Sequence, residues 1–121
     1  MRLCRVAVVF VLAISSASVP PPAAAAKHAP DELSFLATAY CHDGTTASGV
    51  QTSRGIVAAD PGVLPMGTTI RVRGLKRGLN GVYRVMDTGE LVQGRRIDLF
   101  IESCAEAKRF GKQRVRVAIV R

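Results

Sequence analysis

The chain has 121 residues, a formal net charge of +8, 48% hydrophobic and 5% aromatic residues, and three cysteines. That length holds one domain with a modest core, and no apolar run approaches the roughly 20 residues that a bilayer-spanning helix needs. The basic balance suits an anionic polymer or an anionic surface as partner. The absence of Trp, and aromatic residues that are not interleaved with basic ones, argue against nucleic acid.

The chain opens with Arg2 and Arg5, an apolar run from Val6 to Ile14, and the small-residue stretch Ala23–Ala26. A positive head, a short apolar segment and an A-x-A-like site form the pattern of a secretory signal peptide, residues 1–26, with cleavage expected after Ala26. A secreted protein, in the periplasm or the cell wall, without a stable membrane anchor and acting as a monomer, is the expectation. Without Arg2 and Arg5, fifteen Lys and Arg face nine Asp and Glu, a balance of about +6.

Residues 27–34 read as an N-terminal tail, and the domain is expected over 35–121. FLATAYC, 35–41, reads as a first strand leading into the turn-rich loop HDGTTASG. IVAAD, 56–60, is a short apolar strand closed by Pro61 and Gly62. TTIRVRG, 68–74, alternates with Ile70 and Val72 on one face and Arg71 and Arg73 on the other. GVYRVMD, 81–87, and RIDLF, 96–100, follow between glycine-containing turns. QRVRVAIV, 113–120, alternates again, with Val115, Val117 and Ile119 expected inward.

Ser103 followed by Glu106 has the spacing of a capping box, and Gly111 supplies a stop. The short helix between them offers Ala105, Ala107 and Phe110 for packing. A mainly β chain of six short strands, one or two short helices and many glycine turns favours a closed β-barrel.

Two cysteines, Cys41 and Cys104, remain after export and read as a disulfide. A catalytic cysteine is the rival reading, but the two histidines, His28 and His42, stand near the mature N-terminus. No CxxC or HxxxH spacing suggests a metal, and nothing in the sequence calls for a cofactor.

Among the acids, Asp60, Asp87 and Asp98 stand at strand positions or strand ends, where aspartate is depleted. Alternation places Asp98 with Phe100, opposite to Ile97 and Leu99. A carboxyl partly desolvated beside an aromatic ring has a raised pKa and suits a general acid, whereas Arg95 and Arg96 act the other way. As structural readings, Asp87 tethers the Asp87-Thr88-Gly89 turn through an N–H two residues on, and Asp60 caps the turn at Pro61. One D-T-G string does not make an aspartic protease, which needs two.

Together TAYCHDGTTASG, GIVAADPGVLPMGTTIRV, YRVMDTGELVQGRRIDLF and SCAEAKRFGKQRVRVAIV resemble the three-aspartate (3D) domain family over roughly residues 36–120. The resemblance implies a double-psi β-barrel similar to the barrel domain of membrane-bound lytic transglycosylase A, and more distantly to rare lipoprotein A and the expansins. It implies cleavage of the MurNAc–GlcNAc bond of peptidoglycan, with Asp98 as acid/base and Asp87 as its partner. Asp60, Thr38, Tyr40 and Thr46 are the implied groove-shaping residues. The alternative it leaves open is a wall-binding or wall-loosening module that does not cut.

Overall fold

A computed structural model describes residues 9, 11, 13–17 and 31–121. Most of the expected signal segment lies outside the described residues; Val9, Val11 and Ile14, where described, are exposed and in no regular element. No helix among the described residues is long and apolar enough to cross a membrane.

Among the described residues six strands and one helix follow in the expected order: β1 (Leu33–Tyr40), β2 (Ile56–Ala59), β3 (Thr69–Arg73), β4 (Gly81–Asp87), β5 (Arg96–Phe100), α1 (Cys104–Phe110) and β6 (Gln113–Ile119). β1 starts at Leu33, so Leu33 and Ser34 belong to the barrel rather than to a tail, because they pair with Val117 and Arg116 of β6. The strands close in the order β1-β5-β2-β4-β3-β6, with β1–β5 and β2–β4 parallel and the other four pairs antiparallel. Closure leaves no long sheet edge to manage. This mainly β closed barrel is the architecture expected from the alternating runs.

The core follows from that alternation. Phe35, Val57, Ile70, Val72, Val85, Ile97, Leu99, Val115 and Val117 are almost fully buried inside the barrel. Each contributes about 1.5–3 kcal/mol relative to exposure. Ile119 does not join them: although it lies opposite the buried Ile70, it is 49% exposed, because β1 begins opposite Val117 and leaves Ile119 without a neighbour on that side.

The helix begins where the cap signal stands. The Ser103 side chain accepts from Glu106 N at 3.3 Å, and Gly111 takes φ 61° at the C-terminal end. With two turns the helix has one buried anchor, Phe110; Ala107 is half-buried and Ala105 is exposed.

Cys41 and Cys104 are bonded, with an S–S distance of 2.05 Å and a Cα–Cα distance of 5.1 Å. The bond ties the end of β1 to the start of α1 across a sequence separation of 63. Closing a loop of that size stabilises by about 4 kcal/mol on the chain-entropy account. Replacing Cys41 and Cys104 together by serine is expected to lower unfolding free energy by about that amount in urea titration. Unchanged stability would show the bond to be absent or without effect.

Candidate functional site

Strand pairing sets four residues in one row across four neighbouring strands. Thr38 of β1 is opposite Asp98 of β5, Asp98 is opposite Ala58 of β2, and Ala58 is opposite Asp87 of β4. Their neighbours in sequence Ala37, Ile97, Leu99, Val57 and Ala59 belong to the core, so the row lies on the outer face.

Asp87 reaches this face through an irregularity. β2 and β4 pair Val57 with Val85 and then Ala58 with Asp87, passing over Met86. Simple alternation from the buried Val85 would aim Asp87 into the core; one extra residue in β4 re-aims it outward, as bulges do. Two strand steps of about 4.8 Å put the Asp87 and Asp98 backbones about 10 Å apart. Buried Ala58 forms a small-residue floor between them.

The two carboxylates live in different surroundings. Asp87 Oδ1 accepts from Ala47 N and Thr88 N, both at 2.9 Å, and Oδ2 from the Tyr40 hydroxyl at 3.3 Å. Its turn bond comes from the next residue rather than from Gly89, and the Ala47 bond reaches across 40 positions. That bond, with Ser48 N donating to Met86 O at 3.3 Å, docks the 41–52 loop on the end of β4.

Asp98 has one donor, the Thr38 hydroxyl at 3.0 Å on Oδ1. Burial raises its pKa; the Thr38 hydrogen bond and the Arg96 charge lower it, and Asp87 adds to the rise. Burial prevails over the arginine, the balance that sequence alone leaves open. The Arg96 Nε is buried without a hydrogen-bond partner among the described residues.

Tyr40 joins the two acids. Its ring packs edge-on against Phe100 with centroids 5.6 Å apart. Desolvation raises its pKa, as do the charge and hydrogen bond of Asp87 and the charge of Asp98, so it stays a neutral donor. The disulfide at the adjoining Cys41 anchors the strand that carries it.

The other two expected residues stand apart from this row. Asp60 accepts from Gly94 N at 2.8 Å and Gly62 N at 2.9 Å, which hold its pKa down in that order. It caps the turn as expected and also ties the β4–β5 loop to β2. Thr46 is buried, with its hydroxyl 2.9 Å from Ser48 Oγ, so it shapes the 41–52 loop from within. Ala58, Ala47 and the passed-over Met86 complete the site without any signal in the sequence beyond a small residue in an apolar strand. A cleft of about 500 Å³, lined in part by Arg54, Tyr83, Phe100, Glu102 and Glu106, opens beside the row rather than over it. It forms where β4 and β5 run past the start of the short β2.

The model of the 3D domain matches residues 55–121. The chain belongs to the 3D domain family. All three aspartates fall inside the matched span, and Thr38, Tyr40 and Thr46 lie before it. The chain is 31% identical over 103 residues to the cell wall-binding protein YocH of Bacillus subtilis, covering 78% of this chain and 34% of YocH. It is 39% identical over 70 residues to the probable endolytic peptidoglycan transglycosylase RlpA of Aquifex aeolicus, covering 58% of this chain and 30% of RlpA. It thus spans about a third of each. In structure it is similar to the lytic transglycosylase MltA of Escherichia coli, with TM-score 0.55, 22% identity, and coverage of 66% of this chain and 28% of MltA. A similar match, TM-score 0.54 at 20% identity over 64% of this chain and 28% of the other, is to MltA with bound chitohexaose. These likenesses show the barrel fold.

The raised Asp98 pKa fixes the sign of a stability effect. The folded state holds this proton above the ordinary aspartate value, so the contribution is full below that value and is lost as pH rises through the raised one. Asp98→Asn keeps an acceptor for Thr38 and removes the charge. It is expected to raise the melting temperature by a few degrees at about pH 7 and to change little near pH 3. A variant that melts lower at neutral pH would contradict the desolvated carboxyl.

Proposed function

We propose that this chain is an exported, peptidoglycan-directed protein that cleaves the MurNAc–GlcNAc bond as a lytic transglycosylase, with Asp98 as the single acid/base. The observation that carries the reading is the unequal treatment of the two carboxylates. Asp87 is held at both oxygens by Ala47, Thr88 and Tyr40, which leaves it poorly placed to act as a nucleophile. Asp98 is half-buried, has one hydrogen bond, and holds its proton to higher pH than an ordinary aspartate. A carboxyl whose pKa is raised by burial suits a general acid.

The chemistry fits one working carboxyl. Protonated Asp98 gives its proton to the glycosidic oxygen as the bond to the anomeric carbon breaks. The resulting carboxylate then takes the proton of the sugar's 6-hydroxyl, whose oxygen closes on the anomeric carbon to form the 1,6-anhydro ring. Asp98 ends protonated, and no water is consumed. The Asp87 charge, fixed by its three donors, stabilises positive charge at the anomeric centre. The relatives support this reading, one named as a probable peptidoglycan transglycosylase and one structure holding a chitohexaose.

A second reading, wall binding without cleavage, is favoured by the relative named as a cell wall-binding protein. It is favoured too by an aspartate row that lies on the outer face of one barrel.

Incubation of the chain with purified peptidoglycan, followed by mass spectrometry, separates the readings. Anhydro-ended fragments are expected from the wild type, and a loss of about 10²–10⁴-fold from Asp98→Asn. The rate is expected to fall as pH rises through the Asp98 pKa, because the acid form is required. Tyr40→Phe, which frees one oxygen of Asp87, is expected to cut the rate while leaving binding intact. Reducing-end fragments would mean hydrolysis, and retention on the wall without any cleavage would establish the second reading.

A further inference from the structure

A second cleft, of about 290 Å³, gathers cations that are scattered along the sequence. Lys76 and Arg77 from the β3–β4 turn line it together with Arg109 at the end of α1 and Lys112 just before β6, with Gln113 and Glu106 completing the polar wall. None of Thr38, Ala58, Asp87 or Asp98 lines it. The ion pair found among the described residues joins Arg73 to Glu32, so all four cations lack a salt-bridge partner there. All four are also exposed. One carboxylate among four like charges leaves a net attraction for anions.

The two halves of this cleft are clasped by one side chain. Lys76 N donates to Gln113 Oε1 at 3.0 Å, and Gln113 Nε2 donates to Phe110 O at 3.2 Å. Asn80 Oδ1 accepts from Leu75 N at 2.7 Å and fixes the turn from its other side. Arg77 takes φ 59°, the one non-glycine residue at positive φ among the described residues. Glycine would adopt that conformation without the cost of about 1–3 kcal/mol, yet the position presents a guanidinium. The helix dipole accounts for Arg109 in the last turn of α1, but not for Lys76 or Arg77.

We infer that this cleft binds the phosphate groups of a base-free anionic polymer of the poly(glycerol phosphate) type. Guanidinium forks match phosphate oxygens two at a time, and two lysines add point charges around them. A nucleic acid is disfavoured because the aromatic ring in the lining, Phe110, is buried and presents no stacking surface. The site stands whether or not the aspartate row cuts glycan.

Fluorescence anisotropy of labelled poly(glycerol phosphate) with the full chain tests it. Inorganic phosphate, poly(glutamate) and oligo(dT) of matched charge serve as competitors. Binding is expected to weaken with salt at a log–log slope of about −3, as four contacts on a flexible polyanion give. Lys76→Gln with Arg109→Gln is expected to weaken binding at least tenfold. Arg71→Gln with Arg116→Gln, equal in charge and exposed elsewhere on the barrel, is expected to leave it within twofold. Equal losses from the two double variants would reduce the effect to overall charge and overturn the site. Tighter binding of oligo(dT) or poly(glutamate), or competition by inorganic phosphate at equal phosphate concentration, would overturn the ligand assignment.

Discussion

The one-residue irregularity in the pairing of β2 with β4 is the constraint on which the site depends. Up to Val57 and Val85 the two strands run in step and both side chains enter the core. Beyond it Asp87, not Met86, lies opposite Ala58. Without that step the carboxylate would point among Val57, Val85 and Ile97, where an unpaired charge costs several kcal/mol. The docked 41–52 loop holds the irregular segment, because Ala47 and Ser48 donate to the side chain of Asp87 and the carbonyl of Met86. Loop and bulge are therefore one device.

With both acids on the outer face, the surroundings divide their roles. Three donors converge on Asp87, whereas Asp98 has a single hydroxyl and loses water to its neighbours. Tyr40 feels both charges while donating to one of them. Its own position is set by Phe100 beneath it and by the disulfide one residue on. A covalent staple near one end of the barrel thus contributes to the order of a polar site, linking stability to chemistry. Asp60 contributes differently: its two backbone acceptor bonds fix the loop that leads into β5, and so the start of the strand that carries Asp98.

Most of the barrel is legible in the sequence because its signals are local. Ile70, Val72, Val115 and Val117 alternate with exposed arginines, and glycine turns bound the strands. Ser103, Glu106 and Gly111 mark the helix. The aspartates were recognisable as misfits in apolar strands, and Asp87 and Asp98 do share a face. What was hidden depends on partners distant in sequence. A bulge leaves no residue signature in YRVMD, and nothing in IVAAD shows that Ala58 stands between two acids. Thr46 is implied as a groove residue and the fold buries it, and Ile119 reads as core until β1 begins too late to cover it. Lys76 and Arg77 stand far from Arg109 and Lys112 in sequence until the β3–β4 turn lies against the end of α1.

Asp98 as a desolvated acid with a raised pKa, beside a pinned Asp87, is the claim from which the proposed chemistry follows. Carbon-13 NMR titration of the side-chain carboxyls measures it without reference to any substrate. Asp98 is expected to titrate above the ordinary aspartate value, and to move higher still in Thr38→Val, which removes the hydroxyl that favours its charged form. A midpoint at or below the ordinary value would contradict the account.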